Sequence, residues 1–337
     1  MIRKQLLIGI LAAMTVALPA VGIYAGSAEA SEIQSSNEDT VSGNKGASID
    51  KAVTLQNSVK MTDRISAAAD GKNIMFSPTS LNFALGMIAE GAKGETKEVL
   101  CNYLGTDDFA SYAKEYLNKI KEYNTEDESY GYKSKLKIAD AVWVDNNLTL
   151  QEEFKNSVTN GFEAEVENVD FSAAEKTCGI INSWCDKNTE GLIPKIITPD
   201  LINDTTGLCL TNSLYFESGW SGEPWIVSDT EEKFGNNEKT KYMTCAGDRY
   251  YENDKATAFG REYANGLSFV GILPVDEGDF ILEDLDIGGL LKSQPEYDEV
   301  QCKMPKLDFE TTVILNDILS SLGLDNIFSS NADFSGI

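Results

Sequence analysis

Along this chain, apolar residues recur every third or fourth position in some stretches and every second position in others, and the two patterns alternate. Residues 50–69 read as a helix, and Leu81, Ala84, Leu85 and Ile88 form the stripe of a second. Ser77 and Pro78 open that second helix: a serine N-cap accepts from a free amide, and proline suits the first helical position because it has no amide to leave unpaired. A short buried strand, 73–76, precedes it. Gly91 closes it, and Gly94-Glu95-Thr96 leads into a helix ending near Leu104-Gly105. Further helices are expected over 107–123, 151–160 and 172–187, the last carrying Trp184.

The period-two stretches are as clear. Leu136, Ile138, Val142 and Val144 alternate with Lys137, Ala139, Ala141 and Trp143, as in a long strand with both faces partly covered, and Asp145-Asn146-Asn147 turns the chain. A strand at 164–169 follows. Residues 208–216 are almost continuously apolar, which fits a central strand buried on both sides. Residues 242–245, 258–263 and 267–273 read as an antiparallel group. Met304-Pro305-Lys306 opens a short strand, and Leu315, Ile318, Leu319 and Leu322 predict a last helix ended by Gly323. Interleaved helices and antiparallel strands make the fold class α+β.

The N-terminus changes the picture of location. Arg3 and Lys4, an apolar run from Leu6 to Val21 and Ala28-Glu29-Ala30 make 1–30 a secretory signal peptide with Ser31 as the first mature residue. Pro19 and Gly22 interrupt the run, which favours cleavage over an anchor, and no later segment is apolar enough to span a bilayer. Residues 31–48 are a polar tether, too poor in large apolar residues to fold, and 49–337 form one domain with no internal repeat. The protein is expected outside the cell as a monomer, free of the membrane after signal cleavage, with the tether able to hold it near the surface.

Charge and residue types exclude most chemistry. With 28 Lys plus Arg against 54 Asp plus Glu, the net charge of −26 repels phosphate backbones, so nucleic acid is not an expected partner. There are no histidines, which removes Ser-His-Asp and Cys-His activation and most zinc sites. No phosphate-binding glycine loop occurs. Glu152-Glu153 and Glu231-Glu232 read as charged surface, so no catalytic group, metal or cofactor is expected. Asn147-Leu148-Thr149 and Asn203-Asp204-Thr205 are glycosylation sequons. Among the cysteines, Cys178 and Cys185 share a helix face but sit about 10 Å apart along it, too far to bond. Cys209 and Cys302 fall in strand-like runs and read as small buried hydrophobes.

Four separated motifs together resemble the serpins. They are Asn73-Ile74-Met75-Phe76-Ser77-Pro78-Thr79-Ser80 running into Glu90-Gly91-Ala92-Lys93-Gly94-Glu95-Thr96; Ile181-Asn182-Ser183-Trp184 with Thr189, Gly191 and Ile193; Thr211-Asn212-Ser213-Leu214-Tyr215-Phe216 with Gly219-Trp220; and Asn331-Ala332-Asp333-Phe334-Ser335-Gly336-Ile337. The resemblance implies helices around a large central mixed sheet plus smaller sheets. It implies irreversible inhibition of a serine or cysteine protease, whose attack on an exposed loop is followed by insertion of that loop into the central sheet. It places Ser77, Pro78, Ser80 and Asn212 in the shutter beneath the sheet, and Trp220 where the cleaved loop first enters.

In serpins, a central strand, the reactive loop and two core strands follow the segment matched by 331–337. The fold is therefore expected to be incomplete at its C-terminus, and residues 31–337 alone are expected to be poorly stable and unable to inhibit. The chain reads as the front part of a longer serpin. The alternative is a non-inhibitory extracellular binding scaffold of serpin-like fold.

Overall fold

The computed structural model describes residues 11–16, 49–69, 71–127, 132–234, 238–275, 281–293 and 300–337. Most of the expected signal peptide and all of the tether at 31–48 lie outside these residues. In chain order the elements are β1 (Leu11–Val16), α1 (Lys51–Ala68), α2 (Pro78–Gly91), α3 (Gly94–Leu104), α4 (Phe109–Ile120), β2 (Thr125–Asp127), β3 (Tyr132–Asp145), α5 (Glu152–Gly161), β4 (Glu165–Val169), α6 (Ala174–Asn188) and β5 (Leu208–Glu217). The remainder are β6 (Ile226–Phe234), β7 (Glu238–Ala246), β8 (Arg249–Glu252), β9 (Ala256–Glu262), β10 (Ser268–Pro274), α7 (Ile287–Leu290), β11 (Gln301–Pro305) and α8 (Asn316–Leu319).

The central sheet has five strands in the order β1-β5-β3-β2, with β4 also on β3. β3 and β5 run antiparallel over ten paired positions, from Lys135 opposite Glu217 to Val144 opposite Leu208. β1 and β4 are parallel to their neighbours, so the sheet is mixed. Period-two sidedness divides β5 between two cores. Leu208 and Leu210 face α2, α4 and α5 with Val142 and Val144, while Cys209 faces α6 with Ala141, Trp143, Ile181 and Trp184. Trp143 and Trp184 meet edge to face at 6.1 Å, fastening α6 across the sheet.

Two smaller sheets, β10-β9-β8 and β11-β7-β6, pack beyond the end of β5. Here the structure corrects the sequence reading: 242–245 belongs to β7 and pairs with β11 and β6, not with β9 and β10. The β6–β7 hairpin carries mostly exposed residues and so lacked the apolar alternation that would have announced it. Residues 73–76 run without a ladder, Asn73 giving its carbonyl to the Thr311 hydroxyl at 3.0 Å. The last expected helix is a single regular turn, α8, followed by a wide turn and a short tight helix. Gly323 reverses the chain at φ 86°, a conformation that favours glycine.

The first and last serpin-like motifs meet. The Lys93 amide donates to the Asp333 carbonyl at 2.9 Å, and the Gly336 amide to the Gly91 carbonyl at 3.1 Å. Thr96 Oγ1 accepts from the Asp333 amide and donates to Asn326 Oδ1. A Cβ at Gly91 would lie 2.1 Å from Ile337 Cγ1, so only glycine admits that side chain.

Candidate functional site: the polar seam of the central sheet

A line of polar side chains crosses the centre of the sheet on the face covered by α2. Ser77 caps α2, its hydroxyl accepting from the Ser80 amide at 3.0 Å, with Pro78 at the first helical position as expected. One turn in, Ser80 Oγ donates to Asn212 Oδ1 on β5. Asn212 Nδ2 donates in turn to Asp140 Oδ1 on β3 at 2.7 Å. Asp140 and Asn212 are directly opposite in the ladder, so the contact spans the β3–β5 seam. Ser80 and Asn212 are fully buried and Asp140 is 1% exposed.

Asp140 was missed by the sequence reading, although the signal was present. The alternation Leu136, Ile138, Val142, Val144 places position 140 on the same inward face, and a carboxylic acid there stands among aliphatic neighbours. Its second oxygen, Oδ2, is buried without a hydrogen-bond partner among the described residues. Burial pushes its pKa from the ordinary 3.8 up to about 7, opposed by the Asn212 hydrogen bond. On the opposite face, Thr211 Oγ1 accepts from Trp143 Nε1 at 3.0 Å.

The second serpin-like motif fixes the turn after α6. Asn182 Oδ1 accepts from the Ile196 and Ile197 amides and its Nδ2 donates to the Ile197 carbonyl. Thr189 Oγ1 accepts from the Ile193 amide at 3.0 Å, and Glu190 and Gly191 take positive φ between them.

Trp220 is not part of the seam. It lies beyond the end of β5, bridged to Tyr263 and stacked on its ring at 4.4 Å, with Trp225 and Phe269 edge-on at 5.6 and 5.7 Å. The guanidinium of Arg261, 2% exposed, sits 5.5 Å from the Trp220 ring and 5.2 Å from that of Trp225. Its Nη atoms donate to the Ala246, Ser221 and Glu223 carbonyls. The sequence reading missed this residue too, since the run at 258–263 registered only as a strand.

The family profile "Serpin (serine protease inhibitor)" matches residues 54–337. This chain is a serpin. It is 31% identical over 290 residues to Serpin-ZXA of Oryza sativa subsp. japonica, covering 79% of this chain and 72% of that one. It is 28% identical over 319 residues to neuroserpin of Homo sapiens, covering 87% and 75%. Among solved structures, emu (Dromaius novaehollandiae) ovalbumin superposes with a TM-score of 0.74 at 21% identity, covering 86% of this serpin and 81% of ovalbumin. Cleaved Serpin 42Da gives 0.72 at 23%, covering 84% and 78%. The serpin fold, α+β with helices around several sheets, is thereby established for this chain.

Proposed function

We propose that this serpin is secreted and belongs to an inhibitor that traps a serine or cysteine protease, with residues 31–337 supplying the frame of the sheet and the control over its opening. The supporting observation is the Ser80–Asn212–Asp140 chain, which ties α2, β5 and β3 at mid-sheet. Signal cleavage would remove β1 from β5, so a strand can add on that side of β5 while these bonds hold its other side to β3 and α2. Ser77 and Pro78 act here by setting the start of α2, which aims Ser80 at Asn212. Trp220 acts separately, packing the end of β5 where an inserting strand begins to enter. None of these side chains performs bond chemistry, so the driving force is strand addition itself.

The test is a denaturing gel after incubation with trypsin-, chymotrypsin-, elastase- and papain-type proteases. Residues 31–337 are expected to give no covalent band. A form in which a relative's loop and closing strands are joined after Ile337 is expected to give one with at least one protease, and to lose it when Asn212 is replaced by alanine. A covalent band from 31–337 alone overturns the reading. So does cleavage of the loop-bearing form with protease activity unimpaired, which favours the non-inhibitory scaffold.

A further inference from the structure

The β7–β11 register sets Cys245 directly opposite Cys302. Both thiols are free, Cys245 half-buried and Cys302 buried at 3% exposure. The Gly247 amide bonds the Val300 carbonyl and the Lys306 amide the Lys241 carbonyl, so by alternation the cysteine pair occupies a hydrogen-bonded ladder position. Such pairs hold their Cα atoms about 5.5 Å apart, inside the roughly 4.4–6.8 Å window of a disulfide. Their Cβ atoms, about 5 Å apart, exceed the roughly 3.8 Å that a relaxed bridge prefers. A bond here is thus reachable but strained, the kind that forms and is reduced again. A Cβ at Gly247 would lie 2.6 Å from Cys302 Sγ, so the glycine leaves room for that sulfur.

The buried Arg261 supplies the second half of the argument. Among the described residues it forms no ion pair; its guanidinium donates to three carbonyls and faces two indole rings, and its Nε is buried without a hydrogen-bond partner. Cys245 and Cys302 both lie within range of its charge. Burial raises the Cys245 thiol, while hydrogen bonding and charge from Arg261, and a hydrogen bond from Cys302, pull it back down. Cys302 is pushed up to about 12 by burial first and then by the charge of Cys245. Asp248 is the acidic neighbour and raises both. Cys245 is therefore both the more exposed thiol and the one that burial raises less.

We infer that Cys245 and Cys302 form a reversible dithiol site for low-molecular-weight disulfides, with Cys245 as the nucleophile and Cys302 as the resolving thiol. The Cys245 thiolate attacks one sulfur of the small disulfide, and the first small thiolate leaves and takes a proton. Cys302, giving up its proton, then attacks Cys245 Sγ and expels the second small thiolate, which is protonated in turn. The protein pair is oxidised to a cross-strand disulfide while the small disulfide is reduced to two thiols. Because Cys245 lies beside the Arg261 guanidinium, forming the bridge acts on the Arg261–Trp220 stack at the end of β5.

The full chain is equilibrated in buffers of graded oxidised-to-reduced glutathione ratio, then quenched and mapped by mass spectrometry. The expected result is one reversible two-thiol transition linking the Cys245 and Cys302 peptides, accompanied by a change in tryptophan emission. Cys302→Ser should accumulate one glutathione on Cys245, and Cys245→Ser should acquire none at Cys302. With iodoacetamide, Cys245 should react at least about tenfold faster than Cys302, and Arg261→Gln should slow it. Should Arg261→Gln not fold, the wild-type pH profile replaces it, with Cys245 expected to gain reactivity at lower pH than Cys302. Both thiols remaining free across the whole series, a link from either to another cysteine, or Cys302 reacting first overturns the inference.

Discussion

Asn212 donates to Asp140 across the β3–β5 seam at 2.7 Å, and this bond leaves the other carboxylate oxygen buried without a partner among the described residues. The sheet is therefore least strained when Asp140 is neutral. Its folded pKa is about 7 against an ordinary 3.8, so the folded state binds the extra proton between those values. The sign follows: the penalty for ionised Asp140 is absent well below the ordinary pKa, grows as pH rises, and is complete above the folded one.

Asp140→Asn keeps an acceptor for Asn212 and removes the charge. At about pH 8 it should be more stable than the parent by a few kcal/mol at most, and at about pH 4 the two should converge. Urea denaturation of both proteins at a series of pH values checks this. A stability difference that does not vary with pH contradicts the assignment.

Asn212→Ala strands both Ser80 and Asp140 and should cost about 2–4 kcal/mol. Ser80→Ala removes one neutral donor and should cost about 1 kcal/mol. The gap between them should narrow at low pH, where Asp140 no longer carries a charge. Equilibrium unfolding midpoints of the two variants decide it.

The long regular elements were legible in the sequence because burial acts on them along their whole length. β5 is buried on both faces and reads as an unbroken apolar run; α2 begins at the serine and proline that can cap it. Ser77, Ser80 and Asn212 were reached through the family motifs. Asp140 escaped because the eye follows the hydrophobic members of an alternation and passes over the polar residue that shares their face. The facing of Cys245 and Cys302 could not be read at all, since it depends on the register of two strands nearly sixty residues apart in sequence.

Gly91 and Ile337 are a second pair joined across the chain. Gly91→Ala puts a methyl group 2.1 Å from Ile337 Cγ1 and should cost about 1–3 kcal/mol by driving that side chain from its seat. Ile337→Ala should cost a similar amount by emptying the seat. The double variant should cost clearly less than the sum, because both act on one contact. A double-mutant cycle by chemical denaturation measures this coupling, and strict additivity contradicts it.

Trp220 is stacked on Tyr263 and lies near Arg261. Trp220→Ala should destabilise by about 2–3 kcal/mol, and Trp220→Phe, which keeps a ring over Tyr263, by about 1 kcal/mol. Unfolding followed by circular dichroism ranks the variants; equal losses contradict a stacking role.

The seating of Ile337 against Gly91 also governs timing. The two residues are separated by most of the polypeptide, and pairing such distant partners is slow because a long loop must close first. During synthesis, α2 and α3 emerge early with their contact surface for 331–337 still bare. A chaperone that shields apolar surface on the nascent chain should release this helical layer late.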